Sequence, residues 1–246
     1  IKLYEKAIDA YQYAVAIDEK FDYAYRNMGD AYIRLRRYKD AIEVLQKVAE
    51  LSRPESIIYE AIGHCFDKLK NFSQARFYYR KAHHYENEDT QLVYKVACTY
   101  MNQQNWSGAI KILQPILLKF PMQPQYNLAL GRCFLQLGNF DEAIACMENV
   151  IKARPKNISG WVELLHCFYQ AGYYSGGIEC SAFAFEQTNG KVIFLYFQSA
   201  FMLANGQTKQ GLIYLEHALR ANPGQISKFI EIDKSLLQHQ QVAELG

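Results

Sequence analysis

The amino-acid sequence predicts an all-α protein, an α-solenoid of stacked helical hairpins, on three observations. Nearly the same phrase recurs at a constant interval: RYKDAIEVLQKV at 37–48, NFSQARFYYRKA at 71–82, NWSGAIKILQPI at 105–116 and NFDEAIACMENV at 139–150, each opening 34 residues after the last. Within each interval apolar residues keep the i, i+3, i+4, i+7 spacing of one helix face, as Tyr25, Met28, Gly29 and Tyr32 do. Turn formers stand between them: Asn71, Asn105, Asn139 and Gly172 inside the intervals, and Pro54, Pro121, Pro155 and Pro223 between intervals. A fixed helical period of this size marks a repeat array, in which each unit buries its apolar face against its neighbours.

The first element is residues 1–21, where Tyr4, Ala7, Tyr11 and Ala14 keep the phase of a second helix whose first helix is missing. Six full repeats then begin at 22, 56, 90, 124, 158 and 192. Residues 226–246 form the C-terminal capping helix, with Phe229, Ile232 and Leu236 in the phase of a first helix. Asp233 stands there in a place that is small elsewhere, and a charge suits a helix with one side in water. Such a cap keeps the end of a solenoid soluble. The N-terminus reads as cut and the C-terminus as natural.

Four phased series specify how each hairpin closes. One aromatic series marks second helices (Tyr4, Tyr38, Phe72, Trp106, Phe140, Tyr174), and a small-residue series follows it (Ala7, Ala41, Ala75, Ala109, Ala143, Gly177, Gly211). First helices carry Gly29, Gly63, Ala97 and Gly131, a series that ends in Leu165 and Ser199. Large residues follow at Tyr32, Phe66, Tyr100, Phe134, Phe168 and Met202. Small side chains let helices cross closely, and each large neighbour contributes about 1.5–3 kcal/mol when buried. Leu165 and Gly177 are predicted to exchange volume across the crossing of the fifth hairpin. Pro115, inside a second helix, removes one hydrogen bond and predicts a kink near Ile112–Pro115.

These residues resemble the tetratricopeptide repeat, whose 34 places carry large residues at 4, 7, 11 and 24, small ones at 8, 20 and 27, and Pro at 32. The second unit supplies Tyr59, Ile62, Gly63, Phe66, Ala75, Tyr79 and Ala82; the fourth supplies Leu130, Gly131, Phe134, Ala143, Met147, Val150 and Pro155. The resemblance covers essentially the whole chain as a single solenoid. It implies a right-handed superhelix whose concave face binds a peptide or partner protein. Relatives that clamp the acidic tails of heat-shock chaperones need Lys and Asn in one first helix, Asn in the next, then Lys and Arg. Here Asp30 and Ala61 break that clamp.

Composition narrows the remaining functions. Lys and Arg number 27 against 25 Asp and Glu, a balance that argues against nucleic-acid binding and so against an RNA-reading repeat. No apolar run reaches the roughly 18 residues that span a bilayer. The six cysteines form no CxxC pair. Those sharing a place in successive repeats lie about 8–10 Å apart, beyond the roughly 7 Å reach of a disulfide, so they read as reduced, apolar fillers in a cytoplasmic protein. His64 and His166 stand three repeats apart, on the order of 25–30 Å, and cannot share a metal. Gly176-Gly177 lacks the strand and Lys of a phosphate loop. The N-x-S triplets at Asn71, Asn105 and Asn157 read as turn residues. No enzyme, cofactor or metal is expected.

What remains is the inward stripe of the first helices. It is predicted to bind a partner through Arg26, Asp30, Glu60, His64, Lys95, Arg132, Glu163, His166, Tyr196 and Phe197, with the aromatic pair as anchor. The expected function is a non-enzymatic protein-interaction scaffold. The alternative is a regulatory or assembly segment of a larger enzyme or secretion complex. The exposed N-terminal helix offers a route to a homo-oligomer.

Overall fold

The computed structural model describes residues 2–53 and 55–238; Pro54, His239 and the rest of the predicted cap lie outside the described residues. All secondary structure among them is helical. In order, the helices are α1 (Lys2–Ile17), α2 (Asp22–Arg34), α3 (Tyr38–Leu51), α4 (Ser56–Lys68), α5 (Phe72–Tyr85), α6 (Thr90–Asn102), α7 (Trp106–Lys119), α8 (Pro124–Gln136), α9 (Phe140–Ala153), α10 (Ile158–Gln170), α11 (Tyr174–Gln187), α12 (Ile193–Ala204), α13 (Thr208–Ala221) and α14 (Ile226–Ile232). Helices adjacent in the chain pack together, α2 on α3, α4 on α5, α8 on α9 and α12 on α13 as hairpins, the arrangement of an α-solenoid. The chain forms two compact units, one up to Ile116 and one from Leu117.

The hairpins share one turn. The amide of Arg37 donates to the carbonyl of Tyr32, Asn71 to Phe66, Asn105 to Tyr100, Asn139 to Phe134, Tyr173 to Phe168 and Gln207 to Met202. Each is the 6→1 bond of a Schellman motif, which satisfies a helix-end carbonyl through one left-handed residue. That residue is Arg36, Lys70 and Gln104 (φ 57–59°) in the first three turns and Gly138, Gly172 and Gly206 (φ 74–79°) in the last three. Asparagine caps the next helix at two of the three turns it follows: the Asn71 side chain accepts from the amide of Gln74 at 3.3 Å and that of Asn105 from Gly108 at 2.9 Å, whereas the Asn139 side chain makes no such bond. The Asn157 side chain accepts from the amide of Gly160 at 3.1 Å, so all three N-x-S asparagines are helix caps.

Hairpin closure pairs the small place of a first helix with a large residue of the second. A Cβ on Gly29 would lie 2.7 Å from Leu45, on Gly63 2.8 Å from Tyr79, and on Gly131 2.7 Å from Met147. The fifth hairpin inverts this pairing, with fully buried Leu165 in the small place and buried Ser181 in the large one. The volume partner of Gly177 is not the predicted Leu165. A Cβ there would fall 2.2 Å from the ring of Phe201 on α12, which also supplies the next two nearest atoms. Phe201 occupies a place held by Ala31, Cys65, Thr99, Cys133 and Cys167 in the other repeats. The exchange therefore runs between successive hairpins.

Helix α7 carries Pro115 inside its span from Trp106 to Lys119. The capping helix is shorter than its periodicity predicts: α14 stops at Ile232, where Asp233 turns extended (φ −157°, ψ 117°). The Asp233 carboxylate accepts from the Tyr169 hydroxyl at 3.0 Å and the Ser235 amide at 2.8 Å. These bonds explain the charge at that place better than exposure does.

Candidate partner-binding site

The predicted residues lie on α2, α4 and α6 in the first unit and on α8, α10 and α12 in the second, and within each unit most of their charges neutralise one another. Arg26 binds Glu55 with two bonds of 2.8 and 2.6 Å, and that hydrogen bonding holds the Glu55 carboxyl below its usual range. Lys95 of α6 is ion-paired to Glu60 of α4. Arg132 of α8 donates from Nε to Glu163 of α10 at 3.1 Å. Exposed pairs of this kind are worth about 0.2–1 kcal/mol each. Their effect is to join neighbouring hairpins and leave the stripe close to neutral. Asp30 alone among the named charges is exposed and has no such partner among the described residues.

The two histidines sit lower in the surface. The His64 ring meets Tyr38 edge-on at 6.3 Å and the His166 ring meets Phe197 at 5.2 Å. Burial is the main cause that lowers the pKa of both below 6.5, which favours the neutral imidazole.

Tyr196 and Phe197 are not the accessible anchor that the sequence predicts. They are 0% and 1% exposed. The Tyr196 hydroxyl donates to the carbonyl of Asn222 at 2.9 Å, and its ring packs 6.1 Å from Phe229 of α14. The physical reason is legible in α12 itself, IFLYFQSAFMLA, a helix apolar on every side. Such a helix must be enclosed, and α11, α13 and α14 enclose it.

What is accessible lies beside that pair. A pocket of about 390 Å³ opens between α10, the start of α12 and α14. Ile158, Val162, His166, Ile193 and Phe197 form its apolar wall, and Lys191, Lys228 and Glu231 stand at its rim. Lys228 is paired to Glu231 at 2.8 Å, whereas Lys191 has no ion-pair partner among the described residues. The pocket has the size, apolar lining and sparse polar rim of a site for one bulky side chain. Sequence reasoning placed His166, Ile193 and Phe197 on the stripe but missed Val162, because the pocket exists only once α14 has folded over the last hairpin.

The cysteines take no part in this surface. Burial pushes the Cys65, Cys167 and Cys180 thiols up to about 12 and Cys146 to about 11, so they stay neutral and apolar rather than nucleophilic. Among the described residues no group of His, Cys, Asp or Glu could hold a metal ion, and no helix is long and apolar enough to cross a membrane.

Hairpin after hairpin joined by one turn, with small residues at each crossing, defines a helical repeat protein. The chain belongs to the tetratricopeptide repeat family: the family model "Tetratricopeptide repeat protein 21 C-terminal ARM domain" matches residues 2–133, more than half of the chain, and a tetratricopeptide repeat model matches 94–175. The chain is 25% identical over 177 residues to BBSome complex member BBS4 of Bos taurus, covering 72% of this chain and 34% of that protein. It is 28% identical over 112 residues to tetratricopeptide repeat protein 21B of Homo sapiens, covering 45% of this chain and 8% of that one. It thus spans about a third of the first relative's length and less than a tenth of the second's. A solved structure of the C-terminal part of a TPR repeat-containing protein from Cytophaga hutchinsonii shares the fold, with a TM-score of 0.77 at 13% identity over 98% of this chain and 93% of that one.

Proposed function

We propose that the chain is a non-enzymatic scaffold segment that holds a stretch of another protein on the face of its first helices. The observation that carries this reading is the pocket between α10, α12 and α14, an apolar recess on an otherwise self-neutralised stripe. A bulky apolar side chain of the partner fills it, and a carboxylate beside that side chain meets Lys191. The paired charges along the stripe set register more than affinity. The assembly reading favours a larger parent protein, since the relatives are longer and one is named as a member of a complex.

The test compares partner capture by the wild-type chain with that by Val162→Asp and Ile193→Asp. Both side chains are part-exposed at the pocket wall and touch the core on their inner side, so capture is read together with the unfolding midpoint of each variant. The expected result is loss of the partner with an unchanged unfolding midpoint. Full retention by both variants contradicts the pocket as the binding site.

A further inference from the structure

The outer face of α5 differs from the inner stripe in one respect: its cations have no carboxylate partners. From Lys68 to Tyr85 the chain carries Lys68, Lys70, Arg76, Arg80 and Lys81 and no acidic residue, although the whole chain is nearly neutral. Arg76, Arg80 and Lys81 make no ion pair among the described residues. They are held instead by neutral groups. The Arg76 guanidinium lies 4.4 Å from the centre of the Tyr100 ring and donates to Gln103 at 2.5 Å. Arg80 donates to the Tyr100 hydroxyl at 3.4 Å, and the Lys81 ammonium sits 4.3 Å from the Tyr59 ring. Aromatic and amide partners fix a cation in place without cancelling its charge.

An apolar side chain lies among them. Phe77 is 56% exposed, at a place where the other repeats have Glu43, Lys111, Ala145, Glu179 and Ile213. With Ser73, Arg76, Arg80, Lys81, His84 and Tyr85 it lines a shallow groove along the helix.

We infer that this face docks an acidic segment of a partner protein whose apolar side chain packs on Phe77. Charge complementarity selects the occupant, since forked guanidinium groups already positioned on Tyr100 match carboxylates in pairs. The extent of the surface selects a short one. Helix α5 spans about 21 Å, and Glu86, Glu88 and Asp89 end the positive stripe directly after it. A nucleic acid or an anionic membrane competes for the same cations, and the oligo-dT and vesicle arms of the test decide against or for them.

Fluorescence anisotropy of the intact chain decides the matter, with a short labelled peptide of Asp and Glu carrying one central Leu as the probe. Binding is expected at low salt and falls as salt rises. Arg80→Glu with Lys81→Glu weakens it about tenfold or more, equivalent to about 1.4 kcal/mol. Phe77→Ser removes the preference for the Leu peptide over one with Ser in its place, and none of these changes moves the unfolding midpoint. Val162→Asp leaves peptide binding intact, which separates this surface from the pocket at α10. Absence of peptide binding, equal binding by the charge-reversed variant, or tighter binding to oligo-dT or phosphatidylserine vesicles overturns the proposal.

Discussion

In the unit that ends at Ile116, the turns between paired helices hold Arg36, Lys70 and Gln104 in the left-handed region; in the unit from Leu117 the same place is Gly138, Gly172 and Gly206. A left-handed residue with a side chain costs roughly 1–2 kcal/mol that glycine does not. Closure differs too. The first unit puts small residues on first helices and large ones opposite, as in Gly29 with Leu45 and Gly63 with Tyr79. The second unit begins with the same rule at Gly131 and Met147, then moves volume to Leu165 and Phe201 against Ser181 and Gly177. What stays constant is the meeting of a small residue with a large one at a crossing and the turn geometry. Neither depends on which residue supplies it.

The largest effects should come from breaking the inverted packing. Phe201→Cys, which restores the small residue of the other repeats, should cost about 3 kcal/mol through the cavity it leaves. Gly177→Ala should cost about 1–3 kcal/mol by overpacking. The double variant should lose less than the sum of the singles by about 1 kcal/mol, since each relieves the defect of the other. Additive losses in denaturant unfolding would show that the two side chains do not share one space. In the first unit, Gly63→Ala should overpack against Tyr79, and Phe201→Cys should not relieve it.

A smaller effect sharpens the comparison of turns. Lys70→Gly should stabilise the protein by about 0.5–1 kcal/mol, and Gly206→Lys should destabilise it by a similar amount. Thermal midpoints that move the same way for both would remove the distinction between the units.

The smallest is a pH effect. His166 is held neutral mainly by burial, with a folded pKa below 6.5, while the unfolded chain takes up its proton near the ordinary value. The unfolded state therefore binds more protons just below pH 6.5, so stability is full above that pH and falls as pH drops through the window beneath it. His64 acts in the same sense. A double His→Gln variant should flatten the fall of the unfolding midpoint between neutral and mildly acid pH, and an unchanged slope would count against it.

Much of this was legible in the sequence because two periods, 34 residues and the helical turn, act on every repeat. The aromatic series marks the opening of second helices, and Tyr38, Phe72, Trp106, Phe140 and Tyr174 are their first residues. The glycines of the first helices mark the crossings. The site was less legible. Tyr196 and Phe197 have the phase of groove residues, yet α14 covers them, and periodicity on one helix says nothing about a later helix folding over it. The pairing of Lys95 with Glu60 and Arg132 with Glu163 likewise depends on side-chain reach between hairpins. The basic run on α5 was visible from Lys68 to Tyr85, but the balance of charge over the whole chain concealed it.

The central claim is that a partner's side chain enters the pocket at α10, and it is tested most directly from inside that pocket. A photoreactive phenylalanine in place of Val162 should give a covalent adduct with a partner polypeptide. The same group at Phe183, exposed on α11, should give none, and Ile193→Asp should abolish the Val162 adduct. An adduct from Phe183 with none from Val162 would place the partner on the outer surface and contradict the account.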